Sequence, residues 1–289
     1  MKGRGFIILM VLAVALQAVA CVVPTAAPAS VPTATPTATP TPGPAAQLQY
    51  LGHSAFLLTS SRGSKILIDP PSASTGYVIA PIDGVDAVLV THEHSDHNNV
   101  AVATGSPLIL RGLSATGWNE INQKVGDEGE VGIRSLAVYH DNTQGSARGR
   151  NTVFIIEVDG LRIAHMGDLG HLLTADQVTA MGAIDVLMIP VGGNYTIDAA
   201  VATQVVAQLG NPKTVVPMHY KTEARPTWPG EGVDPFLVNK TVQRPGTTTL
   251  RLSRALLPAQ STVTVLNFAA TAVPPTPTPT RTATPTTTP

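Results

Sequence analysis

An α/β layered domain, with sheets inside and helices outside, is the fold class the sequence predicts, and three observations predict it. Short β-branched and apolar runs recur through the middle of the chain, a tight Asp159-Gly160 turn joins two of them, and helix signals stand between runs only in the second half. In order, the runs cover residues 48–50, 55–59, 65–68, 87–91, 108–110, 135–139, 151–158, 161–165, 186–191, 214–218, 247–252 and 262–268. Their shortness and β-branched content read as strands. Asp159-Gly160 suits a hairpin because both residues tolerate the positive φ such a turn requires. Thr174-x-x-Gln177 is a capping box ahead of a helix that runs to about Met181. Thr196 or Asp198 opens another helix, which Gly210-Asn211-Pro212 stops.

Composition bounds the rest. Of 25 prolines, seven fall in residues 24–44 and six in 274–289, and both segments are mostly Pro, Thr and Ala. Such stretches cannot bury a core and read as spacers. The expected organisation is a signal over 1–21, a Pro/Thr linker over 22–46, one domain over 47–270 and a Pro/Thr tail over 271–289. Setting aside Lys2, Arg4 and Arg281 leaves 15 basic against 19 acidic side chains, with no Lys/Arg-rich run. That excludes a protein reading nucleic-acid phosphates through a broad basic face. No apolar run inside 47–270 approaches the roughly 18 residues of a membrane span.

Lys2 and Arg4 precede an apolar run over 6–16 and then Ala18-Val19-Ala20-Cys21, the pattern of a secretory signal. Ala18-x-Ala20 suits an ordinary signal peptidase, which would release a secreted domain. Ala18-Val19-Ala20-Cys21 also resembles the lipobox of bacterial lipoproteins, although position 18 is not the usual Leu. Lipidation of Cys21 is the expectation, because this sole cysteine stands where a lipid-bearing one must. An uncleaved anchor over 5–23 is the alternative. Each ending puts the domain outside the cytoplasmic membrane. A lipid anchor would make the membrane a partner, with the spacer extending at about 3 Å per residue. A single cysteine rules out an intrachain disulfide, so core burial or metal must stabilise the domain.

All eight histidines lie within 47–270. The densest group is Thr91-His92-Glu93-His94-Ser95-Asp96-His97, directly after an apolar run. Imidazole and carboxylate are good ligands for zinc and similar divalent ions. Residues two apart in an extended segment face the same way, so His92 and His94 converge. Asp96 and His97 turn onto the following loop and can reach a second ion. A solvated polar loop is the bland alternative, which this spacing disfavours.

The H-x-H-x-D-H arrangement resembles the signature of the metallo-β-lactamase superfamily, and the resemblance extends over 47–268. Its ordered companions stand at run ends: Asp69, His140, Asp168 within His165-Met166-Gly167-Asp168, and His219. Four further stretches are similar to the branch containing L-ascorbate-6-phosphate lactonase and zinc-dependent hydrolases. They are Tyr50-Leu51-Gly52-His53-Ser54-Ala55-Phe56, Gly149-Arg150-Asn151-Thr152, Gly167-Asp168-Leu169-Gly170-His171 and Pro217-Met218-His219-Tyr220-Lys221-Thr222. The resemblance implies a four-layer αββα sandwich with a site along one edge of the sheets. It implies two divalent ions, zinc foremost, with manganese and iron as alternatives. His92, His94 and His140 would hold one, Asp96, His97 and His219 the other, and Asp168 would lie between. A bridging hydroxide would complete each site, with Asp96 also orienting or deprotonating the water. The implied function is hydrolysis of a small-molecule ester, lactone, amide or phosphodiester.

Other residues have weaker assignments. Asp69 is expected to hold a ligand histidine in its tautomer, with a plain turn residue as the alternative. His165 is expected to brace the site. His53 is read either as a contact to substrate or to an anionic leaving group, or as a structural histidine. His171 is read in the same two ways, or as a cap for the helix after it. Tyr195, Tyr220 and Lys221 are candidates to line the pocket. Two other functions compete. In a di-iron reductase of the same fold, Glu would stand where His94 does. A non-catalytic metal-binding module tethered at the cell envelope would not require Asp96.

Overall fold

A computed structural model describes residues 43–269 and 271–272. Cys21, the expected signal and most of both Pro/Thr segments lie outside the described residues. The strands in chain order are β1 (Ala46–Gly52), β2 (Ala55–Thr59), β3 (Lys65–Ile68), β4 (Tyr77–Val78), β5 (Ala87–Val90), β6 (Leu108–Arg111), β7 (Asn122–Val125) and β8 (Val131–Tyr139). Then come β9 (Arg150–Val158), β10 (Leu161–His165), β11 (Val186–Pro190), β12 (Thr214–Met218), β13 (Val242–Gln243), β14 (Thr249–Leu252), β15 (Thr262–Thr264) and β16 (Thr271–Ala272). The helices are α1 (Ala175–Met181), α2 (Ala199–Gln208) and the single turn α3 (Asp234–Leu237).

Two mixed sheets face each other. One has the order β14-β1-β2-β3-β5-β6, and the other β13-β15-β12-β11-β10-β9-β8-β7. Alternation along β2 sorts the layers: Phe56 and Leu58 point into the core between the sheets, and Ala55 and Leu57 point outward. From the second sheet Ile133, Phe154, Ile156, Ile163, Met188 and Val216 fill the same core. Its outer face takes the helices. Ala202, Val205 and Val206 of α2 and Met181 of α1 pack with Ile155, Leu187, Ile189 and Val215. The molecule is an αββα sandwich whose layers are unequal. The outer face of the first sheet is covered by the 3-10 turn Val100–Val102 and by loop residues such as Ile82, Val85 and Ala103, rather than by α-helix.

Local signals account for most of these elements. Asp159 and Gly160 join β9 to β10 with φ of 50° and 71°, the hairpin conformation expected of them. Thr174 Oγ1 accepts from the Gln177 amide while Gln177 Oε1 accepts from the Thr174 amide, so the capping box forms. Asp198, not Thr196, caps α2, accepting from the Val201 amide at 2.8 Å. Two expectations need correction. The run over 262–268 is strand only in β15, and β7 had no signal because Asn122-Gln123-Lys124-Val125 lacks apolar alternation. As an edge strand paired only with β8, β7 needs none.

Pairing directions place the chemistry. β1, β3 and β5 run the same way in the first sheet, and β8, β10 and β12 do so in the second. Their C-terminal ends therefore lie along one edge of each sheet. His53, Asp69, Thr91, His140, Met166 and His219 are the residues that follow these six ends.

Candidate metal centre

The two sheets bring the expected ligands together. His92, His94 and His140 offer nitrogens within 4.8 Å of one another, and Asp96, His97 and His219 form a second group with His53. Asp168 stands between the groups. Its Oδ2 lies 3.1 Å from His140 Nε2, 3.2 Å from His219 Nε2 and 3.8 Å from His92 Nε2, and its Oδ1 lies 3.3 Å from His97 Nε2. His92 Nε2 and His94 Nδ1 are 3.0 Å apart. Two nitrogens on one tetrahedral zinc stand about 3.3 Å apart, given Zn–N bonds of about 2 Å. Each group mixes the sheets: His92, His94, Asp96 and His97 follow β5, and His140 and His219 follow β8 and β12.

The donor set fits divalent ions. His97 Nε2, His140 Nδ1, both ring nitrogens of His219 and Asp168 Oδ1 are buried with no hydrogen-bond partner. Of these, His97 Nε2, His219 Nε2 and Asp168 Oδ1 meet around the Asp168 carboxylate, where leaving them unpaired would be costly unless something satisfies them together. Charge points the same way. Burial works to raise the Asp168 carboxyl, but His219 and His97 outweigh it and hold it well below the usual carboxylate range. Burial works to lower His97, and Asp168 and Asp69 override it, holding that imidazole well above the usual range. Carboxylate charge that draws a proton onto a buried imidazole is charge a divalent cation can neutralise instead.

A supporting layer sets tautomers and directions. Asp69 accepts from the Thr91 amide at 2.8 Å, from Thr91 Oγ1 at 2.6 Å and from His97 Nδ1 at 2.9 Å. With Nδ1 donating to Asp69, His97 turns Nε2 toward Asp168. Thr91 Oγ1, its proton given to Asp69, accepts from His92 Nδ1 at 3.0 Å, which leaves His92 Nε2 as an acceptor, here 3.0 Å from His94 Nδ1. His53 is 1% exposed and donates from Nε2 to Asp96 Oδ2 at 3.1 Å. Burial, with His219 beside it, pushes His53 down to about 3, so it is a neutral donor. It stands behind Asp96 and is not among the residues that line the cavity. His165 is buried behind the site, its Nε2 donating to the Ser54 carbonyl at 2.8 Å. Thr174, not His171, caps α1, and His171 is not among the residues that line the cavity. Its Nε2 accepts from the Tyr139 amide at 3.0 Å and so pins the strand end that carries His140.

Three site residues are strained. His53, Asp69 and His219 have φ of 56°, 44° and 51°, a region costing a non-glycine residue about 1 kcal/mol or more. Each follows a strand, and the left-handed turn re-aims the side chain across the edge. The turns are held: the His219 amide donates to the His53 carbonyl at 2.8 Å, and Tyr50 Oη donates to the same oxygen at 2.9 Å. Gly170 permits a close approach, since a Cβ there would overlap the backbone of His140 and Asp141.

The centre opens into a cavity of about 430 Å³ lined by His94, Asp96, His140, Asp168 and His219 together with Arg148, Tyr195, Arg225 and Trp228. Tyr195 lines it as expected. Tyr220 and Lys221 do not; they line a separate depression with Arg244. A larger groove, about 1090 Å³, runs along α2 and is lined by no histidine. Sequence reasoning missed Asp141, Arg148, Arg225 and Trp228, which lie in irregular segments without periodicity. Asp141 organises one such loop, its carboxylate accepting from the amides of Thr143, Gly145, Ala147 and Arg148 and from Thr143 Oγ1. Its burial opposes ionisation, yet the Arg148 amide and the Thr143 donors hold its carboxyl far below the usual range.

A family profile described as a beta-lactamase superfamily domain matches residues 47–219. A metal-dependent hydrolase of Pyrococcus abyssi is 32% identical over 217 residues, covering 68% of this chain and 92% of that protein. Another from Methanosphaera stadtmanae is 32% identical over 229 residues, covering 68% of this chain and 91% of that protein. A crystal structure from Thermotoga maritima, placed in the metallo-β-lactamase superfamily, is 31% identical with a TM-score of 0.61, covering 78% of this chain and all of that one. The chain belongs to the metallo-β-lactamase superfamily, among its metal-dependent hydrolases.

Proposed function

We propose that the chain is a binuclear hydrolase of an ester, lactone or phosphodiester. His92, His94 and His140 would hold one ion and Asp96, His97 and His219 the other, with Asp168 within reach of both. The observation that carries this reading is Asp168, one carboxylate within 3.8 Å of four imidazoles drawn from both groups. The ions, when bound, supply Lewis acidity and lower the pKa of water to near neutrality. The chain does the rest. Asp96, 22% exposed at the side chain, faces the cavity with Oδ2 accepting from His53, and orients or deprotonates the attacking water. Asp69 and Thr91 keep His97 and His92 in the tautomers that present Nε2. The tilt toward lactone or phosphoester substrates rests on the motifs around His53, Asn151, Asp168 and His219.

The same proposal places the work outside the cytoplasmic membrane, with Cys21 lipidated. Its support is the basic start, the apolar run and Ala18-Val19-Ala20-Cys21.

Elemental analysis of the purified chain tests the centre. About two zinc, iron or manganese ions per chain are expected, falling in His92→Ala. No ion retained after purification without chelators, and none taken up on reconstitution, would overturn the reading. Asp96→Asn separates a hydrolase from a tethered binding module: turnover is lost in the first case and binding little changed in the second.

A further inference from the structure

We propose that the cavity selects a substrate bearing an oxyanion group, phosphate or carboxylate, and that Arg148 and Arg225 are the specificity residues that hold it. The inference rests on the hydrolase reading and names its substrate class. Four side chains make one wall of the cavity. The Arg148 guanidinium lies 5.0 Å from the centre of the Tyr195 ring, Tyr195 is 4.9 Å from Trp228, and the Arg225 guanidinium lies 3.9 Å over Trp228. A cation thus flanks each end of an aromatic surface beside the metal centre.

Neither cation is used up by the protein. Arg148 has five N–H donors and gives one bond, from Nη2 to the Asn194 carbonyl at 2.7 Å. Arg225 Nη1 is buried with no hydrogen-bond partner. The carboxylate beside it, Asp96, stands 4.0 Å away, well beyond the roughly 2.8 Å of a formed charge-assisted bond. Both arginines are held in place by backbone. Asp141 accepts from the Arg148 amide, and the Trp228 amide donates to the Arg225 carbonyl at 3.0 Å. A planar guanidinium with free donors, set in the wall of the cavity, matches the paired oxygens of a phosphate or carboxylate. The rings between them accept an apolar or planar body.

The test compares three nitrophenyl esters with one leaving group: nitrophenyl acetate (neutral), mono-nitrophenyl succinate (carboxylate) and bis-nitrophenyl phosphate (phosphodiester). In Arg225→Gln the ratio of kcat/KM on a charged ester to that on acetate is expected to fall about tenfold or more, through KM, with Arg225→Lys recovering part. Arg148→Gln is expected to lower the same ratio. The charged ester that responds identifies the oxyanion. A second readout needs no metal. Metal-free protein titrated with inorganic phosphate is expected to show saturable tryptophan quenching, weakened about tenfold in Arg225→Gln, because Trp228 lies under that guanidinium. Unchanged ratios together with no phosphate binding would overturn the proposal while leaving hydrolysis of acetate, and the hydrolase reading, standing. Arginine-dependent phosphate binding in a protein that cleaves no ester after metal loading would sink the hydrolase reading and keep the anion site.

Discussion

Asp69 faces no solvent, yet three groups depend on it. Replacing it by Ala strands the Thr91 amide, Thr91 Oγ1 and His97 Nδ1 in the interior. The expected cost is about 3 kcal/mol of stability in the metal-free protein, read by urea unfolding. Metal affinity should fall roughly tenfold or more in chelator competition, because His97 loses the partner that fixes its tautomer. Asp96→Asn is the converse case. It is partly exposed and makes its one protein hydrogen bond to His53, so unfolding should change little while kcat falls about a hundredfold or more. Unaltered turnover in Asp96→Asn would remove that residue from the chemistry. At this scale the candidate ligands could be picked out because they are dense and ordered: four lie in Thr91–His97, and the others follow apolar runs one by one. Arg148 and Arg225 were not legible. An arginine in an irregular loop has no period to say which way it points, and only the tertiary structure stacks it on Tyr195 or Trp228.

Among the elements, the loop after His140 depends most on one side chain. Asp141 gathers four amides and a hydroxyl, replacing the backbone ladder the loop lacks. Asp141→Ala is expected to raise hydrogen exchange at Thr143, Gly145, Ala147 and Arg148 while the β8 and β9 amides stay protected. Equal exchange in both proteins would show the loop to be held otherwise. Helix α1 offers a milder test. Thr174→Ala removes half of the capping box and should cost about 1 kcal/mol in thermal unfolding. Elements with strong local chemistry, such as the Asp159-Gly160 hairpin and both helix caps, could be read from residues alone. β7 and the 3-10 cover over the first sheet could not. Their residues are placed by the neighbours they pack against, and Val100–Val102 carries no cap or period.

For the whole molecule, the proposed centre would couple the docking of the sheets to metal loading. Each candidate ligand group takes members from both sheets, so ions bound to the native form should raise its stability by mass action. Chelation is expected to lower Tm, and added zinc to restore it in proportion to the logarithm of its free concentration. A Tm indifferent to chelator would argue against a resident ion. The layered class was legible from the order of runs and helix caps. The unequal outer layers were not, because apolar positions such as Leu57 and Val88 require only that something cover them, and loops serve as well as helices.

The straddling of the two sheets by each group makes the centre a gauge of their separation. With cobalt in place of zinc, ligand-field colour would respond to the distance between the β5 turn and the ends of β8 and β12. Any treatment that parts the layers would bleach the protein before its strands were lost. Absorbance at the centre, followed beside far-ultraviolet dichroism, would then time the undocking of one half of the sandwich from the other.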